Sequence, residues 1–380
     1  MTVYCGILLP ALAEMDLVGP PIALIPRDLH PSAEPLRDEL GDRVRWVGPA
    51  NRHDETTTLT GELRWVHREV PAMLERMTPR PDVLILPYHH PPFRARGVHR
   101  VVVLHDLCGL GTGFPKHKAA YWRHYLRLRA ATHLADAIVP ISHATRDAMA
   151  ARFPASRNRL GPVVYNGLDR PPVPPEYIET VLGKHGLARG SYVVAFATWQ
   201  ERKNFAATLS ALQRLRQKHD RGTGLTTPPR LVGIAPGREV ESIRRHCVNE
   251  GLDDALILSG VPDDELDAFY AGALALLWPS TCEGFGYPVV EAMAQGCPTL
   301  VGPDGPGAEL VDGAIEPLAS LNPATIAQRC EALQAATGQE REHLRRLLRA
   351  RAADFSAEHY RERLRQALHP RITRPSSSRK

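Results

Sequence analysis

The chain has 380 residues, of which 43% are hydrophobic and 23% charged, and its formal net charge is +5 at pH 7. At roughly 100–200 residues per domain, this length predicts about two domains with sizeable cores, and the composition excludes disorder over the whole chain. The basic residues are scattered and form no RNA-recognition or zinc-finger pattern, so we predict no nucleic-acid partner.

Targeting signals and cysteine spacing narrow the class of protein further. No apolar run reaches the ~18 residues of a membrane span, and Met1 to Pro10 lack the basic n-region of a signal peptide. The six cysteines include no CxxC pair, so their spacing indicates neither a metal site nor a redox motif. We therefore expect reduced thiols and a cytoplasmic protein.

Short apolar runs alternate with helical patterns along the chain. Runs without polar alternation are typical of parallel strands buried on both faces, and strand–helix alternation predicts an α/β protein with parallel sheets. The predicted strands are residues 22–25, 83–86, 100–104, 137–140, 163–165, 192–197, 230–234, 256–258, 273–278 and 299–301. The predicted helices include residues 2–15, 63–77, 118–135, 144–152, 204–219, 239–250 and 263–271.

A proline-rich stretch, NGLDRPPVPP at residues 166–175, is the best domain boundary because it can continue neither a strand nor a helix. We predict an N-terminal domain at residues 1–166 and a C-terminal domain at residues 167–355. A helix at 356–369 is expected to pack back on the first domain, followed by a disordered tail at 370–380. Ligands of such sheets bind outside the carboxyl ends of the strands, which predicts a cleft between the domains.

In residues 273–296, a buried strand leads through a glycine-rich loop into a helix. Pro288 suits the start of that helix because its missing N–H would be unbonded there, and Gly296 suits the helix end. The backbone amides of Gly286 and Tyr287, with the positive helix end, can receive a diphosphate. This arrangement predicts a site for a nucleoside diphosphate.

Two carboxylates flank the loop, Glu283 within it and Glu291 one turn into the helix. Carboxylates are good acceptors for hydroxyl groups, so a sugar could lie at one end of the diphosphate and a ribose at the other. The simpler alternative is a capping carboxylate and a surface glutamate, since two glutamates at this spacing are common by chance.

The whole string EGFGYPVVEAMAQGCP resembles the signature of retaining glycosyltransferases of the GT-B fold, in particular glycosyltransferase family 4. The matching residues are Glu283, Gly284, Phe285, Gly286, Pro288, Glu291, Ala292, Met293, Ala294, Gly296 and Pro298. The resemblance implies that Glu283 hydrogen-bonds the donor sugar, that Glu291 binds the ribose of a nucleotide, and that the loop residues Gly284 to Tyr287 line the donor site. It also implies two Rossmann-like domains whose parallel sheets face an inter-domain cleft.

A second match lies in residues 195–209, AFATWQERKNFAATL, which resembles the family's strand, RKN loop and helix. Arg202 and Lys203 then occupy the positions of the family's diphosphate-binding pair. Cleavage of a nucleotide sugar leaves extra negative charge on the diphosphate, and two cations aimed at it would stabilise that charge. Thr198, on the donor side, stands where the family often has a glycine. A surface Arg–Lys pair without function is the alternative.

Three further positions follow from the resemblance. Val261 is placed beside the base of the nucleotide, and Glu309 lies in a family loop with its role left open. In the N-terminal half, a buried strand ends at His105 and Asp106, where the family commonly has a histidine near the donor sugar and the acceptor. A structural histidine and a strand-end cap by Asp106 are the alternatives.

Two features of the N-terminal half have mainly structural interpretations. The helix of residues 119–131 carries Tyr121, Trp122 and Tyr125, and such a stripe is more often core than a contact with a membrane surface or a lipid-linked acceptor. Ser142 follows a predicted strand and is expected to cap the next helix.

The expected reaction is transfer of a sugar from a nucleotide-diphosphate sugar to a hydroxyl of a saccharide, lipid-linked or small-molecule acceptor, and the resemblance implies retention of configuration. No side chain of the site is an obvious covalent nucleophile, so a front-face route fits. No Asp lies two residues from another Asp, so a DxD metal site is absent and we expect no metal or other cofactor. A phosphorylase or hydrolase of the same fold, and a non-catalytic nucleotide-sugar-binding protein, are the alternatives.

The start of the chain departs from the family pattern. The family's first domain opens with a strand and a Gly-Gly loop before a helix, whereas residues 2–15 already read as that helix. We therefore expect either a start further upstream or a reduced first domain.

Overall fold

A computed structural model describes residues 2–17, 19–25, 34–48, 59–88, 90–111, 119–224 and 227–372. Its strands are β1 (Ile22–Leu24), β2 (Arg45–Val47), β3 (Val83–Leu86), β4 (His99–Leu104), β5 (Ala137–Pro140), β6 (Tyr192–Phe196), β7 (Arg230–Ile234), β8 (Leu256–Leu258), β9 (Ala275–Trp278) and β10 (Thr299–Val301). The tail predicted to be disordered at 370–380 is wrong for residues 370–372, which are the last residues of the C-terminal helix, and residues 373–380 lie outside the described part.

The helices in chain order are α1 (Thr2–Ala13), α2 (Glu34–Leu40), α3 (Leu59–Arg64), α4 (Val70–Arg76), α5 (Ala119–Leu134), α6 (His143–Arg152), α7 (Pro175–Lys184), α8 (Phe205–Asp220), α9 (Val240–Asn249), α10 (Asp263–Gly272), α11 (Tyr287–Ala294), α12 (Pro306–Val311), α13 (Pro323–Ala335), α14 (Gly338–Ala353) and α15 (Ala357–Ile372). A π-helical segment, Trp65–Glu69, joins α3 to α4.

The chain forms two compact units, Met1–Gly167 with Ala357–Lys380, and Leu168–Ser356. The boundary lies one residue from the sequence-based division at 166/167. The chain leaves the first unit within the proline-rich stretch and returns to it before α15.

Parallel pairing dominates the first unit. In its described part, β3, β4 and β5 form a three-stranded parallel sheet, and β1 pairs with β2 in a separate parallel pair. The apolar side chains of β4 and β5 are buried, and Leu128 of α5 and Met149 of α6 pack in the same core cluster. This core fixes the carboxyl end of β4, which leads into His105.

One predicted strand is wrong. Residues 163–165 follow β5 but form no regular ladder, because Gly161-Pro162 interrupts the pairing and proline has no N–H to donate. Only single bonds remain, such as Gly161 N to Ile138 O at 2.8 Å and Val164 N to Pro140 O at 2.9 Å. The short strand β2 was not predicted, since three residues of which one is exposed and two are half-buried carry little periodicity.

Ser142 caps α6 as predicted, accepting from Thr145 N at 3.1 Å. Within the aromatic stripe of α5, Tyr121 is buried as a core residue would be, whereas Trp122 is 52% exposed. The expected core role therefore applies to only part of the stripe.

The expectation of reduced cysteines is confirmed for Cys5, Cys247, Cys297 and Cys330, which are free thiols. It is wrong for Cys108 and Cys282, which do not carry free thiols. None of the helices in the described part of the chain is both long and apolar enough to cross a membrane.

Helix α15 belongs to the first unit. Gly167 lies so close to it that an added Cβ would come within 2.8 Å of Tyr360 Cβ. The guanidinium of Arg363 lies 5.1 Å from the ring centroid of Tyr165, and Arg361 forms an ion pair with Glu14 of α1. Apolar side chains of α15 complete the contact.

The second unit contains one five-stranded parallel sheet with the order β10-β9-β6-β7-β8. Its central strands are apolar runs with both faces covered, and the side chains of Val193, Val194, Leu276 and Leu277 are buried. The sheet holds the loops that follow its strands at one common edge.

We predict that Leu364→Ala lowers the free energy of unfolding by about 2–4 kcal/mol, because it leaves a cavity in a well-packed helix contact. Leu364 is 2% exposed on α15. Leu347→Ala on α14 is the matched control, since Leu347 is 38% exposed and its truncation should cost less than about 1 kcal/mol. Urea unfolding followed by circular dichroism measures both, and equal losses would contradict a packed α15.

Candidate functional site

The site lies where the chain changes direction across the second sheet. From β6 the chain proceeds outward through β7 and β8, and then returns to the other side of β6 with β9 and β10. Loops after neighbouring strands diverge at such a switch point and leave a crevice at the carboxyl edge, where open α/β sheets bind ligands. The two loops here follow β6 and β9, which pair directly through Val194 and Leu276.

The loop after β6 carries Arg202 and Lys203, and the loop after β9 carries Glu283. Arg202 Nη1 lies 3.0 Å from Glu283 Oε2, and Lys203 Nζ lies 2.6 Å from Oε1. Ser280 Oγ also donates to Oε1 at 2.6 Å. The structure therefore brings three of the predicted catalytic residues together, and adds Ser280.

The backbone joins the same two loops. The carbonyl of Arg202 accepts from Thr281 N at 2.8 Å and lies 2.9 Å from Ser280 Oγ, whose single proton it shares with Glu283 Oε1, while Arg202 Nη1 donates to Cys282 O at 3.3 Å. These bonds fix both the cation and the carboxylate. Sequence reasoning missed Ser280, although a polar residue two positions after the end of a buried strand was an available signal.

Lys203 lies in an unusual environment for an ammonium group. Its side chain is 15% exposed, and Nζ lies 4.0 Å from the ring centroid of Trp278 at the end of β9. Burial lowers the pKa of Lys203, while Glu283 opposes that shift. The aromatic face and the carboxylate together favour the charged form.

The start of the β6 loop is held by a residue that the sequence did not indicate. Glu239 Oε2 accepts from Thr198 Oγ1 at 2.7 Å and from Trp199 N at 3.0 Å. These two hydrogen bonds lower the pKa of Glu239, so it is ionised at neutral pH. Thr198 is thus tied to Glu239, and it contacts none of the Glu283 cluster within the described residues.

A left-handed residue ends the β6 loop. Asn204 has φ 50° and ψ 42° between the short 3-10 turn of Glu201–Lys203 and the first residue of α8. Asparagine tolerates this region better than most residues. The turn directs the side chains of Arg202 and Lys203 to the carboxyl edge.

The glycine-rich loop leads into α11. Gly286 precedes the helix with φ 112°, which favours glycine, and Pro288 lies in the first turn as predicted. Gly296 follows the helix with φ 74°, again as predicted. Phe285 is buried and its ring contacts Phe355 at a centroid distance of 6.0 Å, so its side chain is structural.

Gly284 and Tyr287, the other predicted loop residues, are half-buried at the N-terminal end of α11. The first-turn amides of a helix have no intrahelical partners, and the helix dipole adds partial positive charge there. This end of α11 can therefore accept an anion.

Glu291 lies in a second cluster. Its Oε1 is 3.6 Å from Nη2 of Arg170, and its Oε2 accepts from the hydroxyl of Tyr270 at 3.4 Å. Arg170 also pairs with Asp263 at 3.1 Å and with Asp267 at 3.2 Å. The two signature glutamates thus face different partners, and sequence reasoning identified neither Arg170 nor Asp267.

Burial shifts the titration of this cluster. It raises the pKa of Glu291 to about 7, with Arg170 opposing and Asp267 adding to the shift. Burial likewise raises the pKa of Asp267 to about 6. Perturbed carboxylates of this kind concentrate at functional sites.

Two other predicted residues lie elsewhere. Val261 is half-buried in the loop between β8 and α10, at the same sheet edge, but β7 separates its strand from β6. Glu309 lies on α12, which follows β10.

His105 belongs to the first unit, directly after β4. Its Nε2 lies 2.8 Å from Pro87 O, and because a carbonyl only accepts, Nε2 carries the proton. Burial lowers the pKa of His105, with the Pro87 carbonyl opposing, so the ring is neutral at pH 7. Asp106 Oδ1 accepts from Cys108 N at 2.8 Å, which is the capping role considered for it.

We predict that Glu291→Gln increases stability at about pH 8 by on the order of 2 kcal/mol and changes it little at about pH 4.5. The folded-state pKa of Glu291 lies above its unfolded value, so its contribution to stability is present at low pH and is lost as the pH rises through about 7. The side chain is 14% exposed. Removing the charge of Glu291 therefore increases the free energy of unfolding only at the higher pH.

Urea unfolding at the two pH values measures this difference. Glu241→Gln is the matched control, because Glu241 is 66% exposed on α9 and its replacement should have little effect at either pH. An equal effect of Glu291→Gln at both pH values would show that Glu291 is not buried in its charged form.

Residues 182–317 match the family model of Glycosyl transferases group 1. This stretch includes Arg202, Lys203, Glu283 and Glu291.

Two curated relatives match part of the chain. O-antigen chain mannosyltransferase B of Escherichia coli is 35% identical over 122 residues, 32% of this chain and 30% of the relative. MMP alpha-(1->4)-mannosyltransferase of Mycolicibacterium hassiacum is 35% identical over 120 residues, 29% of this chain and 27% of the relative. The chain thus spans under a third of these relatives.

Solved structures match over most of the chain. HepE of Anabaena, in complex with UDP and glucose, has a TM-score of 0.67 at 17% identity, covering 96% of this chain and 94% of that one. Sucrose-phosphate synthase of Thermosynechococcus elongatus has a TM-score of 0.66 at 14% identity, covering 86% and 83%. The predicted α/β fold is therefore confirmed as GT-B, and residues 182–317 carry a glycosyl transferases group 1 domain.

Proposed function

We propose that the protein is a glycosyltransferase that moves a sugar from a nucleotide-diphosphate sugar to a hydroxyl group. The observation that carries this proposal is the meeting of Arg202 and Lys203 with Glu283 at the switch point of the second sheet. Two cations at this edge can stabilise the charge of a leaving diphosphate, and a carboxylate beside them can accept hydrogen bonds from sugar hydroxyls. The group 1 domain match supports the same class of enzyme.

Donor binding would redistribute the contacts of this cluster. Arg202 and Lys203 both contact Glu283, and a diphosphate carries more negative charge than one carboxylate. The diphosphate therefore competes for both cations, assisted by the N-terminal end of α11. Glu283 is then released to accept hydrogen bonds from the sugar, while Glu291 takes the ribose hydroxyls.

The chemistry we propose retains the anomeric configuration. The bond between C1 of the sugar and the phosphate oxygen breaks, the acceptor oxygen bonds to C1 on the same face, and the acceptor proton moves to the departing phosphate oxygen. The protein contributes orientation and stabilisation of the leaving group. His105, neutral with its proton on Nε2, is proposed to contact the donor sugar or the acceptor.

The donor and acceptor are proposed by class. The two curated relatives are mannosyltransferases, which makes a mannosyl donor the first to test, and HepE is seen with UDP and glucose. A saccharide, lipid-linked or small-molecule hydroxyl is the proposed acceptor. The transfer is proposed to proceed without a metal ion, because Arg202, Lys203 and a helix end supply the positive charge.

We expect Lys203→Ala and Arg202→Ala each to lower kcat by roughly a hundredfold, the scale of losing one group that stabilises developing negative charge. Release of nucleoside diphosphate is measured with UDP-, GDP- and dTDP-sugars, including mannosyl donors, and the product anomer is determined by NMR. Lys218→Ala is the matched control on α8, where Lys218 pairs with Glu331 at the surface. Wild-type turnover in both site variants would remove these residues from the site, and an inverted product would refute retention.

Activity should persist in excess EDTA, because the proposed leaving-group stabilisation uses side chains and backbone amides. The same turnover assay is run after EDTA treatment and again with added Mg²⁺ or Mn²⁺. A strict requirement for either ion would overturn the metal-free proposal while leaving the transferase proposal intact.

A further inference from the structure

Helix α11 holds the segment that enters the second unit. Gln295, directly after the helix, donates through Nε2 to Pro171 O at 3.1 Å, and its Oε1 accepts from Val173 N at 3.1 Å. Gln295 is buried and lies four residues after Glu291, so both side chains project from the same face. This clamp fixes the backbone beside Arg170.

The side chain of Arg170 lies against Glu291. Nη2 is 3.6 Å from Glu291 Oε1, and the hydroxyl of Tyr270 donates to the other carboxylate oxygen at 3.4 Å. Arg170 and Glu291 are each 14% exposed. With one partner on each oxygen, the carboxylate has a defined orientation, and each oxygen can still accept another hydrogen bond.

Charge balance makes this contact important. The Arg170 guanidinium faces three carboxylates, those of Asp263, Asp267 and Glu291. Oδ1 of Asp267 is buried without a hydrogen-bond partner, so the charge of that carboxylate is only partly compensated. A buried carboxylate that loses its cation takes up a proton, and a protonated Glu291 is a weaker acceptor for hydroxyl groups.

We propose that Arg170 is a positioning residue for the nucleotide, holding Glu291 ionised and oriented so that the carboxylate accepts hydrogen bonds from the ribose hydroxyls. This inference rests on the proposed function, in which Glu291 binds the ribose. Arg170 acts through Glu291 and does not itself contact the nucleotide. Arg170 also makes nucleotide affinity depend on the segment that enters the second unit, because the hydrogen bonds of Gln295 to Pro171 and Val173 fix the position of Arg170.

The test compares UDP and GDP with their 2′,3′-dideoxy forms by calorimetry on the full-length protein. In the wild type, removal of the ribose hydroxyls should weaken binding by about tenfold or more, the scale of a hydrogen bond to a charged group. In Arg170→Gln, the natural nucleotide should bind about tenfold more weakly, while the affinity for the dideoxy form should change by less than about twofold. Equal losses for both forms would overturn the proposal, since they indicate only a structural role.

The pH dependence provides a second readout. The titratable and charged groups that face Glu291 are Arg170, Asp263, Asp267 and Tyr270. Loss of Arg170 raises the pKa of Glu291 further, so Arg170→Gln should recover much of its UDP or GDP affinity between about pH 7 and about pH 9. Asp263→Asn should shift the binding profile to lower pH, because it removes a competitor for Arg170. Unchanged profiles in both variants would overturn the proposal.

Control variants separate this result from misfolding and from failure of the proposed function. Arg216→Gln removes another arginine that pairs with an aspartate, Asp254, and should leave both nucleotide affinities unchanged. Arg170→Lys keeps the charge and should restore part of the ribose-dependent affinity if Arg170→Gln is poorly folded. Absence of UDP, GDP and dTDP binding in the wild type would instead refute the proposed function.

Discussion

The ion pairs of Glu283 with Arg202 and Lys203 join two loops that lie about eighty positions apart in the sequence. Their meeting depends on one constraint, the direct pairing of β6 with β9 in a parallel sheet. Parallel strands end at the same edge, so the residues that follow each strand are brought together there. The crossing of the chain from β8 to β9 makes this edge a crevice.

Electrostatics give the two glutamates different characters. Glu283 is held by two cations and a hydroxyl, whereas Glu291 shares a single guanidinium with two aspartates. A carboxylate with surplus cations suits exchange with an incoming diphosphate. A buried carboxylate with too little positive charge around it has a pKa near neutrality. Its affinity for hydroxyl groups then depends on the charges of its neighbours. The same signature thus supplies two carboxylates in distinct electrostatic environments.

The supporting residues matter as much as the signature. Ser280 and the carbonyl of Arg202 fix the Glu283 cluster, and Glu239 holds the start of the β6 loop. Gln295 clamps the segment that supplies Arg170. A site that works by positioning needs side chains whose own conformations are held by such contacts. Ser280 and Glu239 lie outside the two family strings at residues 195–209 and 283–298 that identified the site.

Much of the second unit follows from the sequence, because its strands are uninterrupted apolar runs and its glycines and prolines mark the ends of α11. The strand predicted at 163–165 is wrong, because pairing there depends on which backbone groups face β5 and not on local composition. The strings around Arg202 and Glu283 predicted a diphosphate site from residue type and order alone. Only the tertiary structure decided the partners: strand order placed Glu283 on two cations, and folding of the entering segment placed Arg170 against Glu291. Those contacts join residues that are distant in the chain, so local sequence patterns could not predict them.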